Sequence, residues 1–216
     1  MPFRDAARLL PATIPGPAGS LEALLRLPAE PAGAAVVAHP HPLHRGTMHN
    51  KVVHRMTRLL AESFGFAALR FNFRGVGASE GEYGGGPGET ADLVAAARWL
   101  RARHPGGPLV VAGFSFGSVC ALHAATALLP DALVLIGVPT GRFPAPPAVP
   151  PSTRVFWIQG EEDEYSHPEK ARALAEARLW EFAAIPEADH FFTGRLETFG
   201  AAVEEGLRRA LEGRSG

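Results

Sequence analysis

The clearest chemical signal in the sequence is a serine flanked by glycines, in the segment Gly113-Phe114-Ser115-Phe116-Gly117. A buried-strand pattern over 109–112 precedes this segment, and a helical pattern over 116–129 follows it. A serine at such a strand-to-helix turn is held in strained geometry with its hydroxyl exposed, and the glycines let the two backbones pass closely. We therefore predict that Ser115 is a nucleophile. The alternative is a glycine-rich packing turn without chemistry.

The acidic loop after the predicted strand 154–158 supplies the candidate for an orienting acid. A serine hydroxyl is a weak nucleophile until a base accepts its proton, and that base needs an acid to orient it. We favour Asp163 because a short side chain three residues beyond Gly160 suits that role. Its rivals are three neighbouring glutamates and one aspartate of a later loop: Glu161, Glu162, Glu164 and Asp189.

His190 is the candidate base, in the loop that follows the predicted strand 179–185. Other histidines, among them His104, His123 and His167, are typical of surface or helix positions. The carboxyl ends of parallel strands meet at one edge of a sheet, where such sheets place their ligands. We therefore expect Ser115, Asp163 and His190 to converge at that edge.

The elements that must position these residues alternate between strands and helices from about residue 34 onward. The predicted strands are 34–38, 67–73, 109–112, 132–136, 154–158 and 179–185, and the predicted helices are 50–63, 88–103, 116–129, 167–177 and 193–212. Several strands are apolar throughout, as strands of a parallel sheet covered on both faces are. The segment Leu21 to Leu27 is predicted to add an antiparallel edge strand. We predict one α/β domain over residues 1–216, a mostly parallel twisted sheet with helices on both faces.

Composition and charge exclude several classes of function. The 216 residues carry 21 basic and 22 acidic side chains, so the chain lacks the excess of basic residues that is typical of a nucleic-acid-binding domain. No apolar run approaches the length of a membrane span, and residues 1–11 lack the apolar core of a signal peptide. The single cysteine, Cys120, cannot form an internal disulfide and is expected to be a core residue. We expect a cytoplasmic protein that acts on a small molecule, with neither nucleic acid nor membrane as a partner. Its oligomeric state is left open.

Five motifs together resemble the α/β-hydrolase superfamily, in particular its small cap-less hydrolases near the dienelactone-hydrolase-like branch. They are Ala38-His39-Pro40-His41-Pro42, Phe73-Arg74-Gly75-Val76-Gly77-Ala78-Ser79-Glu80-Gly81, Gly113-Phe114-Ser115-Phe116-Gly117, Gly160-Glu161-Glu162-Asp163 and Asp189-His190-Phe191-Phe192. The resemblance spans about residues 20–212 and implies that Ser115 is the nucleophile, Asp163 the acid and His190 the base. A dienelactone hydrolase proper has a cysteine as nucleophile, and this chain departs from it in having Ser115.

The same chemistry requires two backbone N–H groups that stabilise the developing oxyanion. One is expected from Phe116, which follows the nucleophile at the start of a helix. The other is expected from the loop after strand 34–38, where the superfamily usually has His-Gly and this chain has His39-Pro40. Because proline has no N–H, we predict His41 as the second donor, with Leu43 as the alternative.

Other potential sites in the sequence are weak. His41, His44 and His49 lie close together without a clear carboxylate or cysteine partner, so we predict no metal site. The loop Arg74–Glu80 lacks the third glycine of a dinucleotide-binding motif, and we predict no cofactor. Arg74 is expected to be a structural anchor or to face an acidic substrate group.

The stretch 139–151 contains six prolines and is too short and too proline-rich to form a helical lid, so we predict no cap domain and an open site. The function expected from the sequence is hydrolysis of small carboxylic esters through an acyl-enzyme. Thioester or amide cleavage would use the same residues, and a non-catalytic binding protein on the same fold is the alternative class.

Overall fold

The computed structural model describes residues 7–141 and 147–212. The chain ends and two prolines of the stretch 139–151, Pro144 and Pro146, lie outside the described residues. The strands are β1 (Arg8–Gly16), β2 (Gly19–Leu27), β3 (Gly33–Ala38), β4 (Phe66–Phe71), β5 (Leu109–Phe114), β6 (Ala132–Ile136), β7 (Arg154–Gly160) and β8 (Glu181–Ile185). The helices are α1 (Lys51–Glu62), α2 (Pro87–Arg103), α3 (Phe116–Leu128), α4 (Pro168–Glu176) and α5 (Leu196–Glu212).

The eight strands form a single sheet in the order β1-β2-β4-β3-β5-β6-β7-β8. β2 is antiparallel to both β1 and β4. The remaining neighbours in the sheet, β4-β3-β5-β6-β7-β8, all pair in parallel. Helices α2, α3 and α4 pack on one face, and α1 and α5 pack on the other. The predicted fold class, a mostly parallel sheet with helices on both faces, is confirmed.

The N-terminal edge of the sheet differs from the prediction. The segment expected as an edge strand is β2, which lies between β1 and β4, and the edge is β1. Pro11 and Pro15 weaken the strand pattern of β1, but an edge strand tolerates proline because its outer N–H groups have no partner strand. At the opposite edge, β8 begins at Glu181, two residues later than predicted. Leu179 has a φ of 56° and is 95% exposed, which places it in a turn.

The central strands β3, β4 and β5 are buried along their whole length, which makes them a rigid base for the loops that follow them. Helix α3 crosses very close to the end of β3. A Cβ atom on Gly117 would lie 2.5 Å from the carbonyl oxygen of Ala38, so glycine is required at this crossing. The loop after β3 and the first turn of α3 therefore lie side by side.

The connection between β6 and β7 holds no helix in its described residues, 137–141 and 147–153, and the part between them is five residues long. A cap domain does not fit in this connection, as predicted. None of the described helices has the length and hydropathy needed to cross a membrane.

Candidate active site

Ser115 occupies the sharp turn between β5 and α3. Its backbone lies at φ 54° and ψ −119°, outside the regions that side-chain-bearing residues ordinarily adopt, and its N–H donates to the carbonyl of Ile136 at 2.8 Å. A Cβ atom on Gly113 would collide with the backbone of Gly117, so the turn depends on both glycines. This geometry places the Ser115 side chain above the carboxyl end of the sheet.

His190 lies between Ser115 and Asp163. Its Nε2 is 2.9 Å from the hydroxyl oxygen of Ser115, and its Nδ1 is 2.8 Å from Oδ2 of Asp163. An ionised carboxylate only accepts hydrogen bonds, so Nδ1 carries the proton and Nε2 is free to accept from the Ser115 hydroxyl. The rings of Phe114 and Tyr165 lie 5.0 and 4.7 Å from the imidazole, centroid to centroid, and help to hold it in this orientation.

Among the candidate acids, the structure brings Asp163 to the histidine. The Asp163 side chain is fully buried, and its Oδ1 accepts from the backbone N–H of Tyr165 at 2.8 Å. Asp189 instead accepts from the backbone N–H groups of Phe191 at 3.0 Å and Thr193 at 2.8 Å, so its carboxylate stabilises the loop that contains it. The side chains of the other rivals point elsewhere: Glu161 and Glu162 are exposed, and Glu164 accepts from the backbone N–H of His190 at 3.3 Å.

The two residues predicted to donate to an oxyanion lie next to Ser115. Phe116 is the first residue of α3, and the His41 ring packs against the Phe116 ring with centroids 4.7 Å apart. The alternative donor, Leu43, uses its N–H to donate to His41 Nδ1 at 3.2 Å. Since His41 Nδ1 is thereby an acceptor, its Nε2 carries the proton and donates to the hydroxyl of Tyr83 at 3.1 Å.

His39 has a structural role. Its Nε2 accepts from the N–H of Phe73 at 3.1 Å, so its Nδ1 carries the proton and donates to the carbonyl of Pro40 at 2.6 Å. Burial lowers the pKa of His39 to about 4. This neutral imidazole joins the loop after β3 to the loop after β4. Within residues 7–141 and 147–212, no three His, Cys, Asp or Glu side chains are grouped closely enough to bind a metal ion.

A cavity of about 440 Å³ opens beside the serine and the imidazole. Ser115, Phe116 and His190 form one part of its wall, and His41 and Tyr165 form another. The cavity therefore gives a small molecule direct access to the Ser115 hydroxyl and to the His190 imidazole.

A family model for the alpha/beta hydrolase fold matches residues 43–166 of the chain. The chain belongs to the alpha/beta hydrolase family.

Two solved structures are similar to this hydrolase over nearly their whole length. A serine hydrolase without lid from Xanthomonas campestris is 38% identical, with a TM-score of 0.88 over 94% of this chain and 95% of that one. An alpha-beta serine hydrolase homologue from Coxiella burnetii is 32% identical, with a TM-score of 0.82 over 92% and 97% of the two chains. An uncharacterized protein of Rickettsia prowazekii is 33% identical over 211 residues, 89% of this chain and 86% of the relative.

Sequence reasoning missed a buried pair beneath the hydrolase site. Trp157 donates its indole N–H to Gln159 Oε1 at 3.0 Å, and Gln159 Nε2 donates to Asp163 Oδ2. Trp157 is 1% exposed and Gln159 is fully buried. Gln159, a polar residue that directly follows the apolar run 155–158, is the sequence signal that could have revealed this contact.

Asn72 is a second residue that the sequence reasoning missed, below the loop that carries His41. Its Oδ1 accepts from the N–H of Met48 at 2.8 Å, and its Nδ2 donates to Glu22 Oε2 at 2.7 Å. Glu22 also accepts from the N–H of Ala78 at 2.9 Å. Asn72 therefore ties the glycine-rich loop after β4 and strand β2 to the segment that leads into α1.

Arg74 is an anchor rather than a substrate contact. Its guanidinium donates to both carboxylate oxygens of Asp92, at 2.7 and 3.0 Å, and its backbone N–H donates to the same side chain at 3.0 Å. Asp92 is fully buried, and its hydrogen bonds raise the pKa of Arg74. A bidentate pair of this kind fixes the start of the glycine-rich loop on α2.

Proposed function

We propose that this protein is a serine hydrolase that cleaves small carboxylic esters through an acyl-enzyme. The observation that carries the proposal is the hydrogen-bonded series from Ser115 through His190 to Asp163 at the wall of an open cavity. A neutral imidazole with its Nε2 lone pair directed at a serine hydroxyl is what general-base activation requires.

In the first half of the reaction, Ser115 Oγ attacks the carbonyl carbon of the ester while His190 Nε2 accepts the hydroxyl proton. The imidazolium that forms keeps its Nδ1–H on Asp163, whose negative charge stabilises it. The tetrahedral intermediate then expels the alcohol, which takes the proton from Nε2, and the acyl group remains on Ser115 as an ester.

The oxyanion of that intermediate requires hydrogen-bond donors that are in place before the reaction begins. We assign the N–H of Phe116, at the positive end of the α3 dipole, and the N–H of His41. Both residues contribute to the cavity wall next to Ser115.

In the second half, His190 Nε2 accepts a proton from a water molecule as that water attacks the acyl carbonyl. The second tetrahedral intermediate releases the carboxylic acid, and the proton on Nε2 returns to Ser115 Oγ. Atoms and charges balance over the two halves, and the enzyme is regenerated without a cofactor.

The dimensions of the site favour small substrates. The cavity holds about 440 Å³, and the connection between β6 and β7 has too few residues to form a cap domain over it. We propose a small-molecule acyl substrate with modest selectivity, and neither nucleic acid nor membrane as a partner.

The test is hydrolysis of a series of p-nitrophenyl esters, from acetyl to dodecanoyl, together with matched thioesters and anilides, by wild type and Ser115→Ala. We expect the highest kcat/KM for short acyl esters and no turnover by Ser115→Ala. A preference for thioesters or anilides would replace esters as the proposed substrate class, whereas the proposed mechanism would stay the same. Activity retained in Ser115→Ala would contradict the nucleophile, and failure of wild type to react with any ester or with a fluorophosphonate would favour a binding protein.

A further inference from the structure

We propose that Gln159 is a positioning residue that holds the carboxylate of Asp163 in line with His190. This inference rests on the proposed function, because it assigns a role beside the same acid and base. Its basis is the buried row of hydrogen bonds from Trp157 through Gln159 to Asp163, on the side of the carboxylate away from the cavity.

The indole of Trp157 determines which way the Gln159 amide faces. An indole nitrogen can only donate, and Trp157 Nε1 lies 3.0 Å from Gln159 Oε1. Oε1 is therefore the acceptor, and the Nε2–H₂ group is directed at Asp163. In the opposite orientation, the Gln159 Nε2–H₂ group would face the Trp157 indole N–H, which is also a donor. Gln159 Oε1 would then face Asp163 Oδ2, which is also an acceptor.

This fixed amide limits the freedom of the Asp163 carboxylate. Oδ2 accepts from both Gln159 Nε2 and His190 Nδ1, and Oδ1 accepts from the backbone N–H of Tyr165. Rotation of the carboxylate would break bonds on both oxygens inside a buried site, where unmade hydrogen bonds are costly. Gln159 therefore keeps Oδ2 opposite the imidazole.

The amide also shares the negative charge of Asp163. Removing its N–H leaves more of that charge on the oxygen that faces His190. This change stabilises the protonated imidazole, so a higher pH is needed before the imidazole can act as a base. The acid limb of the kcat/KM profile should therefore move to higher pH.

Two substitutions at position 159 separate this role from simple packing. Gln159→Leu and Gln159→Met both remove the hydrogen bonds to Trp157 and Asp163, and the unbranched Met side chain also keeps the length and shape of Gln159. We expect kcat to fall about tenfold or more in both variants, with KM little changed, an effect of the size of one lost buried hydrogen bond. We also expect the acid limb to shift upward in both.

Trp157→Phe is the control, since it removes the indole N–H and part of the buried ring and leaves the Gln159 donor in place. We expect a lower melting temperature with a smaller change in kcat and no shift of the acid limb. Unchanged kcat and an unchanged acid limb in Gln159→Met would overturn the proposal, even if Gln159→Leu does not fold. Wild type and Ser115→Ala are assayed in the same experiment. Absence of activity in wild type, or activity retained in Ser115→Ala, would contradict the proposed function rather than the role of Gln159.

A different observation, the charge of the cavity wall, carries a second proposal: we infer that the site favours acyl groups that bear a carboxylate, recognised by Arg45. This inference also rests on the proposed function. The described wall contains Arg45 and three histidines but no aspartate or glutamate. Within residues 7–141 and 147–212, no carboxylate forms an ion pair with Arg45.

The turn that carries Arg45 is held rigidly at the cavity mouth. Arg45 has a φ of 60°, in the left-handed region, after a short 3-10 turn over Pro42–His44. The carbonyl of His41 accepts from the N–H groups of both His44 and Gly46 at 3.0 Å, which closes the turn. The guanidinium is therefore attached to a fixed backbone beside the proposed oxyanion donor.

The test compares ethyl esters of matched length in a pH-stat, ethyl hydrogen succinate against ethyl butyrate and ethyl hydrogen glutarate against ethyl pentanoate. In Arg45→Gln we expect the charged-to-neutral ratio of kcat/KM to fall about fivefold, the value of an exposed ion pair. Arg45→Lys should restore part of the ratio, and Arg208→Gln, which alters net charge equally on α5, should not change it. An unchanged ratio in Arg45→Gln would overturn this inference while leaving ester hydrolysis intact.

Discussion

The two sides of the proposed active site are held in place by different kinds of contact. On the side of β7 and β8, buried side chains fix one another in series from Gln159 through Asp163 to His190. On the side of β3 and β4, the loop of His41 is shaped by backbone turns and by side chains that bind backbone groups, such as His39 and Asn72. Substitutions on the first side should therefore change proton transfer and its pH dependence. Substitutions on the second side should change the donor geometry and stability.

The largest effect is expected from His190→Ala on the acid–base side. Without the imidazole, the Ser115 hydroxyl has no proton acceptor at 2.9 Å, and kcat should fall by about 10⁶-fold, as when one member of such a unit is removed. Steady-state kinetics on a short p-nitrophenyl ester, with circular dichroism to confirm folding, measure this. A loss below tenfold in a folded variant would remove His190 from the mechanism.

The next effect is expected from Asp163→Asn. The amide can present its N–H₂ group to His190 Nδ1, which would favour the wrong tautomer and lower kcat by about 10⁴-fold. The acid limb of the pH profile should move to lower pH because the imidazolium loses its negative partner. Asp189→Asn keeps an acceptor for the N–H groups of Phe191 and Thr193 and should retain activity within a few-fold. Equal losses in the two variants would contradict the choice of acid.

His39 gives a prediction on stability from the other side of the site. Its pKa is lowered to about 4 by burial, so the unfolded chain binds a proton from about pH 6.5 downward that the folded chain does not. This group should therefore destabilise the fold progressively between about pH 6.5 and pH 4, by roughly 3 kcal/mol in total. Urea unfolding at pH 7.5 and 4.5 measures the loss. A loss as large in His39→Gln as in wild type would contradict the assignment.

The smallest of these effects is expected from Asn72→Leu. It removes the bonds to Met48 and Glu22 that support the loop of His41, so kcat should fall about tenfold through poorer oxyanion geometry. The acid limb should stay in place, since the acid–base pair is untouched. An upward shift of the acid limb like that expected for Gln159→Met would show that the two sides are not separable.

The parts of the fold that could be predicted are those with a local signal. The apolar runs of β3, β5 and β6 and the glycines around Ser115 predict their own structure, and parallel strands bring their carboxyl ends to one edge. That rule led from sequence to the close approach of Ser115, Asp163 and His190. The strand β1 was missed because Pro11 and Pro15 remove the pattern that a central strand would need.

The missed parts of the site depend on contacts between distant segments. Asn72 and Glu22 are 50 residues apart and meet only because β2 pairs with β4, a pairing that no local pattern indicates. Gln159 directly follows the predicted strand 154–158, and its burial was not apparent because β7 extends to Gly160. Its contact with the Asp163 carboxylate also depends on the geometry of the loop after β7. The second oxyanion donor was predicted from the absence of an N–H on Pro40 and stays a prediction.

The most direct test of the account is intact-mass spectrometry during turnover of a slowly hydrolysed p-nitrophenyl ester, with peptide mapping of the trapped species. We predict a burst of one p-nitrophenol per active site and an acyl group on Ser115, with neither in Ser115→Ala. Turnover without an acylated enzyme, or with the acyl group on another residue, would contradict the central claim that Ser115 is the nucleophile.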